Sequence, residues 1–150
     1  MYNICCRMLK DKSDAEDVLQ MSFVQIFSKI NEYRFESTLG AWIKRIVINN
    51  CINHIRKSSL HFEVYDGQEI PYYDDEPITY NVNGIKKAIN ELPAGYRMIF
   101  CLYTLEGYDH NEISLIMNIS ESTSKSQYSR AKAKLHQILK DNGEINKIYQ

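Results

Sequence analysis

The chain has 150 residues, of which 44% are hydrophobic and 25% charged, with four cysteines and a formal net charge of −1. That length buries one good core or two small ones. No apolar run approaches a membrane span and no cleavable signal opens the chain, so a cytoplasmic protein is expected.

Chemistry-bearing patterns are missing as well. Cys5, Cys6, Cys51 and Cys101 have no C-x-x-C spacing, and His54, His61, His110 and His136 form no ligand pattern with them. Reduced, buried thiols are expected, with no metal and no cofactor. Without a Gly-rich phosphate loop or a nucleophile elbow, no catalytic residues are assigned and the chain is not read as an enzyme.

Ser13-Asp14-Ala15-Glu16 has the form of a capping box and predicts a long helix to about Tyr33. Leu19, Phe23, Ile26, Phe27 and Ile30 are its expected core stripe, with Asp14, Asp17, Gln20 and Gln25 off the stripe. A loop through Phe35–Thr38 precedes a second long helix, Leu39 to Lys57. On that helix Leu39, Ile43, Ile46, Val47 and Asn50 are expected to face one way. Arg45, Asn49, Ile52 and Arg56 line a neighbouring side, with Trp42 and Asn53 at the border. Such a ridge is either the wet side of a helix over an ordinary core or a nucleic-acid surface. In the second case Asn reads base edges, Arg holds phosphate and Trp supports an unstacked base.

Residues 60–84 read as an extended acidic connector. Pro71, Pro77, two Gly and four Tyr interrupt any helical period, and self-repulsion among acids keeps such a segment extended. Residues 1–60 hold nine Lys+Arg against six Asp+Glu, a net +3. Residues 61–84 hold six acids and no Lys or Arg, a net −6, and residues 85–150 hold nine bases against seven acids, a net +2. The acidic excess is thus confined to the middle, between two mildly basic modules.

Beyond the connector, helices are expected at Ile85–Asn90 and Ala94–Glu106, separated by Leu92-Pro93 and stopped at Gly107. Asp109 and Glu112 make an Asp version of the capping box for a helix from His110 to Met117, with Ile113, Ile116 and Met117 as its apolar face. Asn118 suits a left-handed helix end. Ser120 then caps a last helix whose buried stripe is Ser124, Tyr128, Ala131, Leu135, Ile138 and Leu139. Its opposite face carries Ser122, Ser126, Ser129 and Ala133, flanked by Thr123, Lys125 and Arg130. Short side chains let a helix backbone approach base edges while flanking cations hold phosphates. The expected fold is all-α, with an N-terminal helical bundle at 1–59, the linker 60–84 and a four-helix helix-turn-helix module at 85–150.

Four segments together resemble the extracytoplasmic-function (ECF) sigma factors of the sigma-70 superfamily, promoter-specificity subunits of bacterial RNA polymerase. They are Ala15-Glu16-Asp17-Val18-Leu19-Gln20-Met21-Ser22-Phe23; Trp42-Ile43-Lys44-Arg45-Ile46-Val47-Ile48-Asn49 with Asn53-His54-Ile55-Arg56; Leu92-Pro93-Ala94-Gly95-Tyr96-Arg97; and Glu106-Gly107-Tyr108 through Ala131.

The resemblance implies a sigma region 2 type bundle and a sigma region 4 type helix-turn-helix. It implies core RNA polymerase and promoter DNA as partners, with an anti-sigma factor as a common regulator. Polymerase docking is expected at Asp14, Glu16, Asp17, Gln20 and Phe23. Contacts to the −10 element are expected at Trp42, Arg45, Asn49, Asn53 and Arg56, with the loop Phe35–Gly40 helping to capture a flipped base. Contacts to the −35 element are expected at Ser122, Thr123, Lys125, Ser126, Ser129 and Arg130. The acidic connector is expected to thread toward the polymerase active centre.

Ser122, Ser124 and Gln127 depart from the family's common Gly, Val and Arg, which leaves the −35 sequence open, and Asn53 replaces a commoner Asp. Family members usually carry a further helix before Tyr2. The expectation is therefore a trimmed start or an incomplete bundle, with Ile4, Cys5, Met8 and Leu9 lacking cover. The alternatives are an ordinary helix-turn-helix regulator and an inactive truncated sigma-like fragment.

Overall fold

The computed structural model describes residues 1–58, 78–80, 82–143 and 145–147. Most of the acidic connector lies outside the described residues. The chain divides into two compact units, Met1–Phe62 and Glu63–Gln150.

The first unit packs three helices: α1 (Tyr2–Met8), α2 (Lys12–Lys29) and α3 (Leu39–Ser58). Their common core holds Ile4, Cys5, Met8 and Leu9 from α1 and its end, Val18 and Ile26 from α2, and Val47, Ile48, Cys51, Ile52 and Ile55 from α3. The expected uncovered face of Ile4, Cys5, Met8 and Leu9 is therefore corrected, because α2 and α3 bury all four.

Two further corrections concern α2. Asp11, not Ser13, caps the helix, its carboxylate accepting from the Asp14 N–H at 3.0 Å. The buried stripe is Ala15, Val18, Ser22 and Ile26. Phe23, Phe27 and Ile30 are exposed, Phe27 to 73%, and the helix gives way to a 3₁₀ turn at Ile30–Glu32. The sequence offers apolar residues on two faces of this helix, and the smaller ones fit the close approach to α3. On α3, Ile52 is corrected from the Arg/Asn ridge to the core, while Leu39 is 45% exposed.

The second unit contains β1 (Ile78–Tyr80), α4 (Val82–Glu91), α5 (Ala94–Phe100), α6 (His110–Met117), α7 (Glu121–Asp141) and β2 (Ile145–Lys147). The two short strands pair antiparallel, Thr79 opposite Asn146, and are the departure from helix among the described residues. Helix α4 begins at Val82 instead of Ile85. The expected helix Ala94–Glu106 is α-helical only to Phe100. A π-helical turn, Cys101–Leu105, follows, closed by the Glu106 N–H on Cys101 O. Gly107, at φ +78°, ends it in a conformation that side chains resist.

Local signals set the rest of this unit. Asp109 and Glu112 form a reciprocal capping box, and Asn118 adopts the left-handed conformation (φ 51°, ψ 52°). Ser120 accepts from the Thr123 N–H at 3.0 Å. The core joins Ala88 and Ile89 of α4 and Leu92 just beyond it to Phe100 and Cys101, and to Ala131, Leu135, Ile138 and Leu139 of α7.

Arg97 fixes the turn between α4 and α5. It is buried, and its Nη1 donates to Asn90 O at 3.1 Å and to Leu92 O at 3.0 Å. Those carbonyls lie in and just past the last turn of α4, where the helix supplies no N–H of its own. Burial pulls the Arg97 pKa below its ordinary value, opposed by the nearby Cys101.

Candidate nucleic-acid and polymerase interfaces

At about 100° per residue, Glu16, Asp17, Gln20, Phe23, Val24 and Phe27 of α2 share one side, and all six are exposed. Phe23 and Phe27 lie with ring centroids 6.4 Å apart. Asp14 is not with them: it points toward α3, where its Oδ2 lies 3.3 Å from His54 Nε2. Glu16 accepts from the Tyr2 hydroxyl at 3.3 Å and pairs with Lys12 at 3.8 Å. Sequence reasoning missed Met21, Val24 and Phe27, which are 60%, 71% and 73% exposed. An apolar row on a charged helix reads as core until burial is known.

A cavity of about 370 Å³ opens between α2, the 3₁₀ turn and α3. Trp42, Asn49 and Asn53 line it together with Gln25, Asn50 and Ile46. Lys29 and Glu32 line it as well. The structure thus gathers three of the five residues expected at the −10 element, while Arg45 and Arg56 do not line this cavity. Beside it, Tyr33 contacts Trp42 at 5.5 Å and Phe35 at 4.6 Å between ring centroids. Phe35 is 83% exposed and sits at φ 59°. An exposed aromatic side chain in a left-handed conformation is costly, by about 1–3 kcal/mol, and such strain concentrates at functional loops.

Helix α7 presents the expected small-residue face. Ser122 and Ser126 are exposed, and Ser129, Ala133, Thr123 and Arg130 are half-buried. Lys125 is exposed and paired with Glu121 at 2.6 Å. The Ser126 hydroxyl donates to Thr123 O at 3.0 Å, which leaves its oxygen as an acceptor. Behind this face, the buried Ser124 hydroxyl meets His110 Nδ1 at 2.9 Å and ties α7 to the start of α6. Tyr103, His110 and Tyr128 form a ring cluster over that bond, with Tyr103 4.4 Å from each of the other two.

Residues 1–60 match sigma-70 region 2, and residues 83–135 match sigma-70, region 4. The ECF RNA polymerase sigma factor SigM of Bacillus subtilis is 31% identical, with 90% of this chain and 85% of that protein covered. The chain belongs to the ECF RNA polymerase sigma factors. SigM of Mycobacterium tuberculosis is 24% identical over 87% of this chain, and the chain spans 66% of that relative's length. A solved structure of the sigma factor RpoE with the anti-sigma factor NepR, from Bartonella quintana, has a TM-score of 0.65 and 26% identity. It covers 93% of this chain and 89% of that one.

Gln25 and Asn50 line this cavity and Tyr33 packs beside it, although the motifs gave none of the three a role, whereas Phe35 belongs to the loop already expected to help capture a flipped base. Asn50 carried a usable signal, since an amide on the inward side of a helix requires a partner.

Proposed function

We propose that this chain binds core RNA polymerase and directs it to promoters through a −10 and a −35 element, acting as a non-catalytic specificity subunit. The observation that carries this reading is the pairing of two surfaces on one family chain. One is a capped helix-turn-helix with a small, hydroxylated outer face, and the other is an amide-lined cavity backed by Trp42.

In this reading, polymerase docks on the exposed side of α2, at Glu16, Asp17, Gln20, Phe23 and Phe27, with Asp14 supporting the α2–α3 packing. Trp42, Asn49 and Asn53 receive an unstacked −10 base, and Arg45 and Arg56 hold phosphates. Ser122, Ser126 and Ser129 read the −35 edges, flanked by Thr123, Lys125 and Arg130. The protein works in the cytoplasm, where its DNA is, and residues 1–59, 60–84 and 85–150 act as bundle, tether and reader. RpoE was solved with an anti-sigma factor, and a regulator of that class is proposed here for the same apolar side of α2.

Run-off transcription with core polymerase over a promoter library tests the reading. Specific initiation from a subset of promoters is expected, and polymerase binding without initiation from any promoter refutes it. Permanganate footprinting refines it. Asn49→Ala should reduce open complexes more than closed ones, by the worth of one base contact, about 1–3 kcal/mol. Equal loss of both would reduce the ridge to a phosphate contact.

A further inference from the structure

The cavity between α2 and α3 has a polarity set from behind, by a residue that does not line it. Ser22 is fully buried, and its hydroxyl donates to Val18 O at 2.6 Å. A hydroxyl has one proton, so toward its other neighbour Ser22 Oγ must accept. That neighbour is Asn50 Nδ2, at 3.0 Å. The amide of Asn50 is therefore held with its nitrogen toward α2, and reversing it requires the Ser22 proton to leave Val18 O and the Gln25 amide to turn as well. The second proton of the same Nδ2 goes to Gln25 Oε1 at 2.9 Å, which orients the Gln25 amide in turn. One serine proton thus fixes two amides.

The consequence lies in what remains. Both Nδ2 protons of Asn50 are engaged, so Asn50 retains its Oδ1 as an acceptor. Gln25 has its Oε1 engaged and retains its Nε2 protons as donors. Neither Asn50 Oδ1 nor Gln25 Nε2 has a protein partner among the described residues, and both residues line the cavity. A wall with a fixed donor beside a fixed acceptor discriminates among base edges, because a reversed edge leaves polar groups unpaired.

We propose that Ser22, Asn50 and Gln25 form a specificity-determining relay, in which Ser22 presets the donor and acceptor pattern that the cavity offers to an unstacked nucleobase. The inference rests on the −10 reading of this cavity. Gln25 contacts the base edge, whereas Ser22 is a positioning residue that touches no DNA. Removing the Ser22 proton releases Asn50 to turn over, and Gln25 with it, so the cavity can present either polarity.

The test uses holoenzyme formed from core polymerase and the full chain, on fork-junction DNA carrying each of the four bases at the unstacked position. The readout is the ratio of affinities for the preferred and the next base, which does not depend on the fraction of active protein. Ser22→Ala and Gln25→Met should each lower that ratio by about fivefold or more, while Trp42 emission reports that the bundle stays folded. Ratios unchanged in both variants, or equal loss on all four bases, would overturn the relay. Asn49→Ala separates the two levels. If it lowers open-complex formation while Ser22→Ala and Gln25→Met leave the ratio intact, the relay fails and the −10 reading stands. If the wild type shows no preference and Asn49→Ala has no effect, both fail.

Discussion

Arg97→Met is the most quantitative test of how the second unit holds its shape. Arg97 is 6% exposed, and its guanidinium holds two carbonyls at 3.1 and 3.0 Å across Pro93. Methionine keeps a long apolar stem and carries no donor. Each hydrogen bond from a charged donor is worth about 1.5–3 kcal/mol. Removing a buried cation recovers part of its desolvation cost, which acts in the opposite direction. The net loss works out at about 2–4 kcal/mol. A unit of this size has a total stability on the order of 3–10 kcal/mol, so the loss is a large share of it, equivalent to about 10–30 °C in Tm.

The assay follows from composition. The chain has a single Trp, Trp42, and it lies in the unit Met1–Phe62. Trp emission therefore follows the first unit, while far-UV circular dichroism follows both. In Arg97→Met the dichroism should gain an early transition with the Trp transition unmoved. Arg97→Lys should recover part of the loss, since an ammonium can reach these carbonyls but lacks the planar fork. An unchanged dichroism melt in Arg97→Met would refute the assignment of the α4–α5 turn to this side chain.

Asp17→Ala with Gln20→Ala should weaken polymerase association while changing stability by no more than ~0.5 kcal/mol; unchanged affinity in a binding assay would remove α2's outer side as the docking face. Phe27→Ser, at a residue 73% exposed, should do the same, and a large drop in Tm would instead mean the ring is structural. Lys125→Ala should weaken binding to all −35 sequences alike and lower the salt slope by roughly one ion, whereas Ser126→Ala should shift preference at the base level; selection from a randomised −35 library at two salt concentrations reads both. Cys51 donates its thiol proton to Cys5 across 3.9 Å. That bond and burial push the Cys51 thiol up, while the same bond holds Cys5 down against the opposing effect of burial; mass spectrometry after brief alkylation should find Cys6 modified first and Cys51 protected until unfolding.

The sequence was most legible where structure is decided within one turn of chain. Asp109 with Glu112, Asn118 and Ser120 each act on backbone groups three or four residues away, and all four behave as their chemistry dictates. It was least legible on α2. There Val18 and Ile26 compete with Phe23, Val24 and Phe27 to form the core face, and only packing against α3 decides between them. Periodicity put Asn50 on the inward side of α3 but gave no sign of Ser22, the buried polar partner that meets it there. The strand pair Ile78–Tyr80 and Ile145–Lys147 escaped for a different reason: pairing between distant segments leaves little trace in either one.

The two candidate DNA surfaces solve the problem of polar recognition in opposite ways. On α7 the hydroxyls are anchored to their own helix, Ser126 to Thr123 O and Ser120 to Ser122 and Thr123. Such a face offers oxygen acceptors and a close backbone approach, and its energy comes mainly from the cations beside it. In the α2–α3 cavity the polar groups are amides held across two helices, and their direction is fixed by a buried proton on Ser22. A surface of the first kind reads edges through oxygen acceptors and adds most of its affinity through phosphates. A cavity of the second kind adds little affinity but rejects an edge of the wrong polarity, because the cost of an unpaired buried amide exceeds the gain of a paired one. Discrimination that must survive promoter melting therefore belongs in the cavity, and substitutions at Ser22, Gln25 or Asn50 should alter base choice more than substitutions along Ser122–Ser129 do.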